Sequence, residues 1–143
     1  MSADSLNLFD SGQDGKIPKL YKRKGLVFAE RRIFVIIIRI TMNALIEKRT
    51  EVMQTLLSMI RSTENGRGCL SCHVLRNMED KNVFSMITEW KNREDLDDHI
   101  KSDRFSVLLG TKSLLCEPQQ IEIHTVSRSE GMETVNIARG KRA

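Results

Sequence analysis

Between residues 33 and 126 the spacing of apolar positions changes repeatedly, and each change predicts a new element. Residues 33–43 are dense in β-branched side chains and predict a strand. Phe34, Ile36, Ile38, Ile40 and Met42 would line one face, and Ile33, Val35 and Ile37 the other. An antiparallel strand with one wet face alternates with polar residues, so both faces of this strand are expected to be covered. From 47 to 63 the period lengthens. Met53, Leu56, Leu57 and Ile60 fall on one stripe of an amphipathic helix, and Asn65-Gly66 supplies its stop. Residues 69–76 then predict a strand, "NMEDKN" a polar turn, and 83–90 the returning strand.

Asn92 is placed to cap a second helix. Glu94, Asp95, Asp97 and Asp98 in its first turns suit the positive end of the helix dipole. Leu96 and Ile100 predict its buried edge, and the apolar cluster Phe105, Val107, Leu108 and Leu109 follows. Gly110 interrupts the pattern, Pro118 marks a turn, and 120–126 predict the last strand. The order β-α-β-β-α-β is that of a ferredoxin-like α+β fold. No internal repeat or low-complexity segment is evident.

Composition adds boundaries to this picture. A chain of 143 residues, 40% hydrophobic and 29% charged, has the size and balance of one soluble domain. Its net charge of +4 sits at the ends. Residues 1–32 carry seven Lys/Arg against four Asp/Glu, and 127–143 four against two. The middle has twelve against thirteen. Residues 1–32 are therefore read as a partly flexible extension, 33–126 as the folded domain and 127–143 as a solvated tail. A nucleic-acid binder would carry its basic charge on the folded part, so no nucleic-acid partner is expected. The apolar run 33–38 stops at Arg39, far short of the roughly 20 residues of a membrane-spanning helix. It also makes a poor secretory core. The expectation is a cytoplasmic protein with no membrane partner.

The stretch "GCLSCHVLRNMEDKNVFSMITEWKNREDLDDHIKSDRF" (68–105) resembles the antibiotic biosynthesis monooxygenase family, also described as quinol monooxygenases. The shared features are Gly68-Cys69 opening a strand, "MEDKN" before Phe84, Glu89-Trp90 ending the next strand, and His99 in the helix before "KSDRF". The likeness spans about residues 33–126. It implies a homodimeric α+β barrel in which two sheets pack together, which would cover the second face of the first strand. It also implies oxidation of a quinol or phenolic aromatic by O2 without metal, flavin or haem, with the substrate between sheet and helices.

Cys69, Cys72 and His73 spell C-x-x-C-H, the pattern of covalent haem attachment. Within a strand, Cys69, Ser71 and His73 would point one way and Leu70 and Cys72 the other. Thiols on opposite faces do not converge on one porphyrin. Cys69 and His73 would share a face but lack a third metal ligand, so neither haem nor metal is expected.

His99 is the candidate base, since an imidazole accepts a proton at neutral pH. It borders the Leu96/Ile100 stripe, and Asp95, at i−4, is placed to hold its ring by a hydrogen bond. Trp90 is read as core or as a substrate-lining ring. Glu89, inside a strand, needs a partner such as Arg39, and is read equally as structural or as a substrate contact. Arg39 and Asn43 share a face of the first strand and are candidate ligand contacts, with a structural ion pair an equal reading of Arg39. His73 and His124 default to structural roles.

Two other readings stay open. Haem-degrading relatives place a tryptophan where this chain has His99 and their iron-ligating histidine where it has Leu109; both departures count against that activity. A non-catalytic ligand-binding or dimerisation module of the same fold is the other. Isomerases of small phosphorylated sugars rank lower, because nothing here marks a phosphate loop.

Overall fold

In the computed structural model, residues 34–141 are described in full, together with the backbone of 20–23 and 26–29. Strands β1 (Leu20–Arg23) and β2 (Leu26–Ala29) pair antiparallel. Residues 36–124 form a compact unit of their own.

That unit is built on a four-stranded antiparallel sheet of β3 (Val35–Asn43), β4 (Cys69–Arg76), β5 (Val83–Trp90) and β6 (Gln120–Val126). The spatial order is β4-β5-β3-β6. The central strands are the β-branched and aromatic ones, and they pair Ile36 with Trp90 through to Asn43 with Val83. Helix α1 (Arg49–Glu64) joins β3 to β4, while α2 (Arg93–Ile100) and α3 (Asp103–Gly110) lie between β5 and β6. This is the ferredoxin-like α+β arrangement, and in one chain the sheet is open. Among the described residues no helix is long and apolar enough to cross a membrane.

Alternation along β3 and β5 sorts the two sheet faces. Ile36, Ile38, Ile40, Met42, Phe84, Met86, Thr88 and Trp90 are buried. They pack with Val52, Leu56 and Met59 of α1, Leu96 of α2, and Phe105 and Leu108 of α3. All three helices thus cover one face. The other carries Val35, Ile37, Arg39, Thr41 and Asn43 from β3, none of them buried.

Three details depart from the sequence expectation. First, β3 starts at Val35, and Ile33 lies outside the described residues. Second, the buried stripe of α1 is Val52, Leu56, Met59 and Thr63, while Leu57 is exposed. Met53 and Ile60 sit at its edge. The helix is rolled by about one position, because two adjacent residues of a 3.6-residue period compete for the same stripe. Likewise Val107 and Leu109 of α3 are exposed. Third, helix α4 (Met132–Ala138) forms in the tail, where the sequence reading placed no element.

The start of β4 corrects the reading of C-x-x-C-H. A β-bulge sets both Cys69 and Leu70 against Trp90, after which Ser71 meets Glu89 and Cys72 meets Thr88. The extra residue shifts the alternation by one. Cys69 and Cys72 therefore lie on the same, helix-covered face, both buried. His73 pairs with Ile87 on the opposite face and is exposed. The two thiols are together, but the histidine is on the far side of the sheet from them, which separates a porphyrin's attachment points from its iron ligand. For the same reason Cys69 and His73 do not share a face. Among the described residues no three His, Cys, Asp or Glu side chains cluster as metal ligands do.

Candidate functional site

One end of the helix-covered face gathers polar residues from three helices around a single aromatic ring. Trp90 ends β5 and is buried; its indole N–H donates to Thr88 Oγ1 at 2.8 Å, so its polar end is satisfied within its own strand. His99, on the inward side of α2, stacks on this indole with ring centroids 4.6 Å apart and planes 28° apart. Phe105 of α3 meets the imidazole edge-on at 5.4 Å and 82°.

The joint between α2 and α3 fixes these rings. Ser102 Oγ donates to the His99 carbonyl at 2.6 Å and accepts the Phe105 N–H at 3.3 Å. One hydroxyl thereby ends the first helix and caps the second. At the other end of α2, Asn92 Oδ1 accepts the Asp95 N–H at 2.8 Å, the cap expected from the sequence.

His99 is 6% exposed, and its Nδ1 is buried without a hydrogen-bond partner among the described residues. Burial, and secondarily the Arg104 guanidinium, lower its pKa to about 4. The ring is therefore neutral at physiological pH. A consequence for stability follows. The unfolded histidine, with its ordinary pKa of 6.5, binds a proton that the folded one refuses. Stability will fall as pH drops from about 6.5 towards 4, and urea-unfolding midpoints across that range measure the loss. A variant lacking this imidazole will show a flatter profile.

Asp95 lies one turn before His99 but does not hold its ring. Asp95 Oδ2 and His99 Nδ1 are both buried and unpartnered among the described residues. The carboxylate turns instead towards the loop before β4, where Arg67 Nε is 3.6 Å from Oδ1. Gly68 makes this possible. Its φ is +80°, and a Cβ there would lie 2.5 Å from the Asp95 Cβ and Cγ. Only a residue without a side chain fits both the left-handed backbone and the close approach.

The remaining sequence candidates lie elsewhere. Arg39, Asn43 and Glu89 stand on the sheet face away from the helices, so the sheet separates them from His99. Glu89 accepts the Ser71 hydroxyl at 2.9 Å from the neighbouring strand. Arg39 faces Glu122 at 3.7 Å, with His124 3.6 Å from the same carboxylate. These groups are about half exposed, and such pairs contribute little to stability. Trp90 and His99 are thus brought together, Asp95 sits beside them facing away, and three candidates occupy a different surface. Leu109, the position of an iron-ligating histidine in haem-degrading relatives, is exposed at the end of α3.

Arg104 escaped the sequence reading. It lies in the first turn of α3, where a cation opposes the helix dipole, and that misfit was the available signal.

Comparison with known proteins agrees with this architecture. Residues 34–108 match the family model described as antibiotic biosynthesis monooxygenase. The chain belongs to the antibiotic biosynthesis monooxygenase family. A conserved protein from Methanosarcina mazei is 28% identical, with a TM-score of 0.61 over 68% of this chain and 94% of that one. A Deinococcus radiodurans protein named for the same family is 18% identical, TM-score 0.63, over 67% and 96%. A Mycobacterium tuberculosis protein, 16% identical, superposes with TM-score 0.63 over 68% and 99%. These last two likenesses speak to fold alone. No curated protein matches the chain.

Proposed function

We propose that this chain is a monooxygenase that oxidises a quinol or phenolic aromatic with O2, and that His99 is the group that handles the phenolic proton. The observation that carries the reading is the His99 ring itself: buried, neutral, stacked on Trp90, with Nδ1 unsatisfied beside a guanidinium. Family membership supports the reaction class.

The chemistry asks little of the protein. Ground-state O2 reacts poorly with closed-shell molecules, but an electron-rich phenol can give it one electron. The substrate radical and reduced oxygen then combine at a ring carbon, and the hydroperoxide loses water to leave a quinone. One O2 yields one new carbonyl oxygen and one water. A base with pKa about 4 does not deprotonate a resting phenol. A phenol losing an electron becomes a far stronger acid, however, and at that moment a neutral, positioned imidazole suffices. Arg104 nearby opposes a lasting imidazolium, so the proton passes on to the reduced oxygen.

Oxygen-electrode measurements with a panel of quinols and polyphenols test the reading. Uptake of one O2 per quinone formed is expected. No uptake with any of them would favour the non-catalytic binding module instead.

The assembly belongs to the same proposal. α1, α2 and α3 all cover one sheet face, while the other presents Val35, Ile37 and Ile87 beside the exposed Leu75. A second copy placed face to face would bury these and close the barrel. Sedimentation at micromolar concentration is expected to give a dimer. A well-folded monomer there would remove this part of the proposal.

A further inference from the structure

We propose that Arg104 is the seat of an anionic group on the ligand, so that the molecule bound at His99 is a negatively charged aromatic, such as a hydroxylated aromatic acid. This rests on the reading of His99 as a ligand-facing residue and narrows its substrate class.

Arg39, Arg67, Arg93 and Arg128 each face a carboxylate. Arg104, like Arg49, Arg61, Arg76 and Arg139, forms no ion pair among the described residues, but of these only Arg104 has a guanidinium nitrogen, Nε, buried without an acceptor. Arg104 as a whole is only partly buried, but a guanidinium nitrogen shut off from water without an acceptor is costly, and native structures rarely keep one without reason.

Its surroundings are specific. A Cβ on Gly66 would lie 3.1 Å from Arg104 Nη2, 3.0 Å from the Thr63 carbonyl oxygen and 3.6 Å from the Trp90 ring. The bare glycine thus leaves room for both the guanidinium and the indole beside it. Two further unsatisfied atoms come from residues that share this neighbourhood: Thr63 Oγ1 at the end of α1 and His99 Nδ1 on α2. Thr63 is fully buried and His99 nearly so. Among the described residues, α1 and α3 therefore each contribute one unpartnered polar group to this end of the core, and α2 contributes two, His99 Nδ1 and Asp95 Oδ2.

Water could satisfy the hydroxyl and the imidazole, but it does not neutralise the cation. The one buried carboxylate nearby, Asp95, is turned towards Arg67. What completes the cluster is an anion with a planar pair of oxygens, which a guanidinium grips at two points. His99 and Thr63 supply neutral hydrogen-bonding groups beside it, and the adjoining rings suit an aromatic body.

A matched pair of probes tests this by calorimetry: 4-hydroxybenzoate and its uncharged methyl ester. The wild type is expected to prefer the acid by about tenfold or more, the scale of one charge-assisted contact. Arg104→Gln will abolish the preference, and Arg104→Lys will keep part of it. NMR of the His99 imidazole will show the acid perturbing the ring in the wild type and not in Arg104→Gln. Equal binding of acid and ester, a preference that survives Arg104→Gln, or no binding of either probe at millimolar concentration would each overturn the proposal. The oxygenase reading is tested separately. Acid preference without O2 uptake would leave the anion seat standing and remove the oxygenase. Uptake with neutral quinols and no acid preference would do the reverse.

Discussion

Gly68→Ala will destabilise the protein more than the same change at Gly66, Gly110, Gly131 or Gly140. The left-handed backbone costs a non-glycine residue about 1–2 kcal/mol, and forced overpacking adds roughly 1–3 kcal/mol. Both apply, because φ is +80° and the new methyl would overlap Asp95. A fall of roughly 10 °C or more in Tm is expected from thermal melts of a domain this size. The Asp95→Ala background will not rescue the variant, since the Asp95 Cβ itself lies 2.5 Å from the added carbon. A melt within about 2 °C of wild type would mean that the loop does not approach α2 as described.

His99→Phe is expected to have the largest effect on activity. Phenylalanine keeps the stack on Trp90 and the edge contact with Phe105 but removes Nδ1, so the fold survives while the proton acceptor is lost. O2 uptake with the best quinol will fall about a hundredfold, the lower end of what a positioned acid–base group contributes. The melting temperature will hold or rise, because a buried unsatisfied nitrogen has been removed. Alanine is the less informative change: it would leave a hole between two rings and confuse lost chemistry with lost packing. Wild-type uptake by the phenylalanine variant would dismiss His99 from the reaction.

Much of the fold was legible in the order of residues. The limits of β4, β5 and β6 match the sequence expectation to the residue, since each begins and ends at a turn signal or a change of period. The Asn92 cap was equally plain, because capping depends on a side chain and a backbone N–H three residues away. Less of the site could be read. That His99 borders the buried stripe follows from helical spacing; that it lands on Trp90, nine residues earlier and on another element, does not. The sharing of one strand face by Arg39 and Asn43 was readable too, but not which face the helices would cover.

The order of the elements, their caps, and the alternation that splits β3 and β5 into two faces follow from the linear pattern of residues. These are local properties, set by neighbours within about one turn or one strand pairing. Other features came from contacts between distant segments. A single bulge placed both thiols on the covered face and His73 on the other. Two bare glycines let Asp95 and Arg104 approach the loop before β4. The meeting of α1, α2 and α3 left unpaired groups at one end of the core. Whether a polar atom finds a partner depends on chain segments far away in sequence, and no local pattern of residues carries that information.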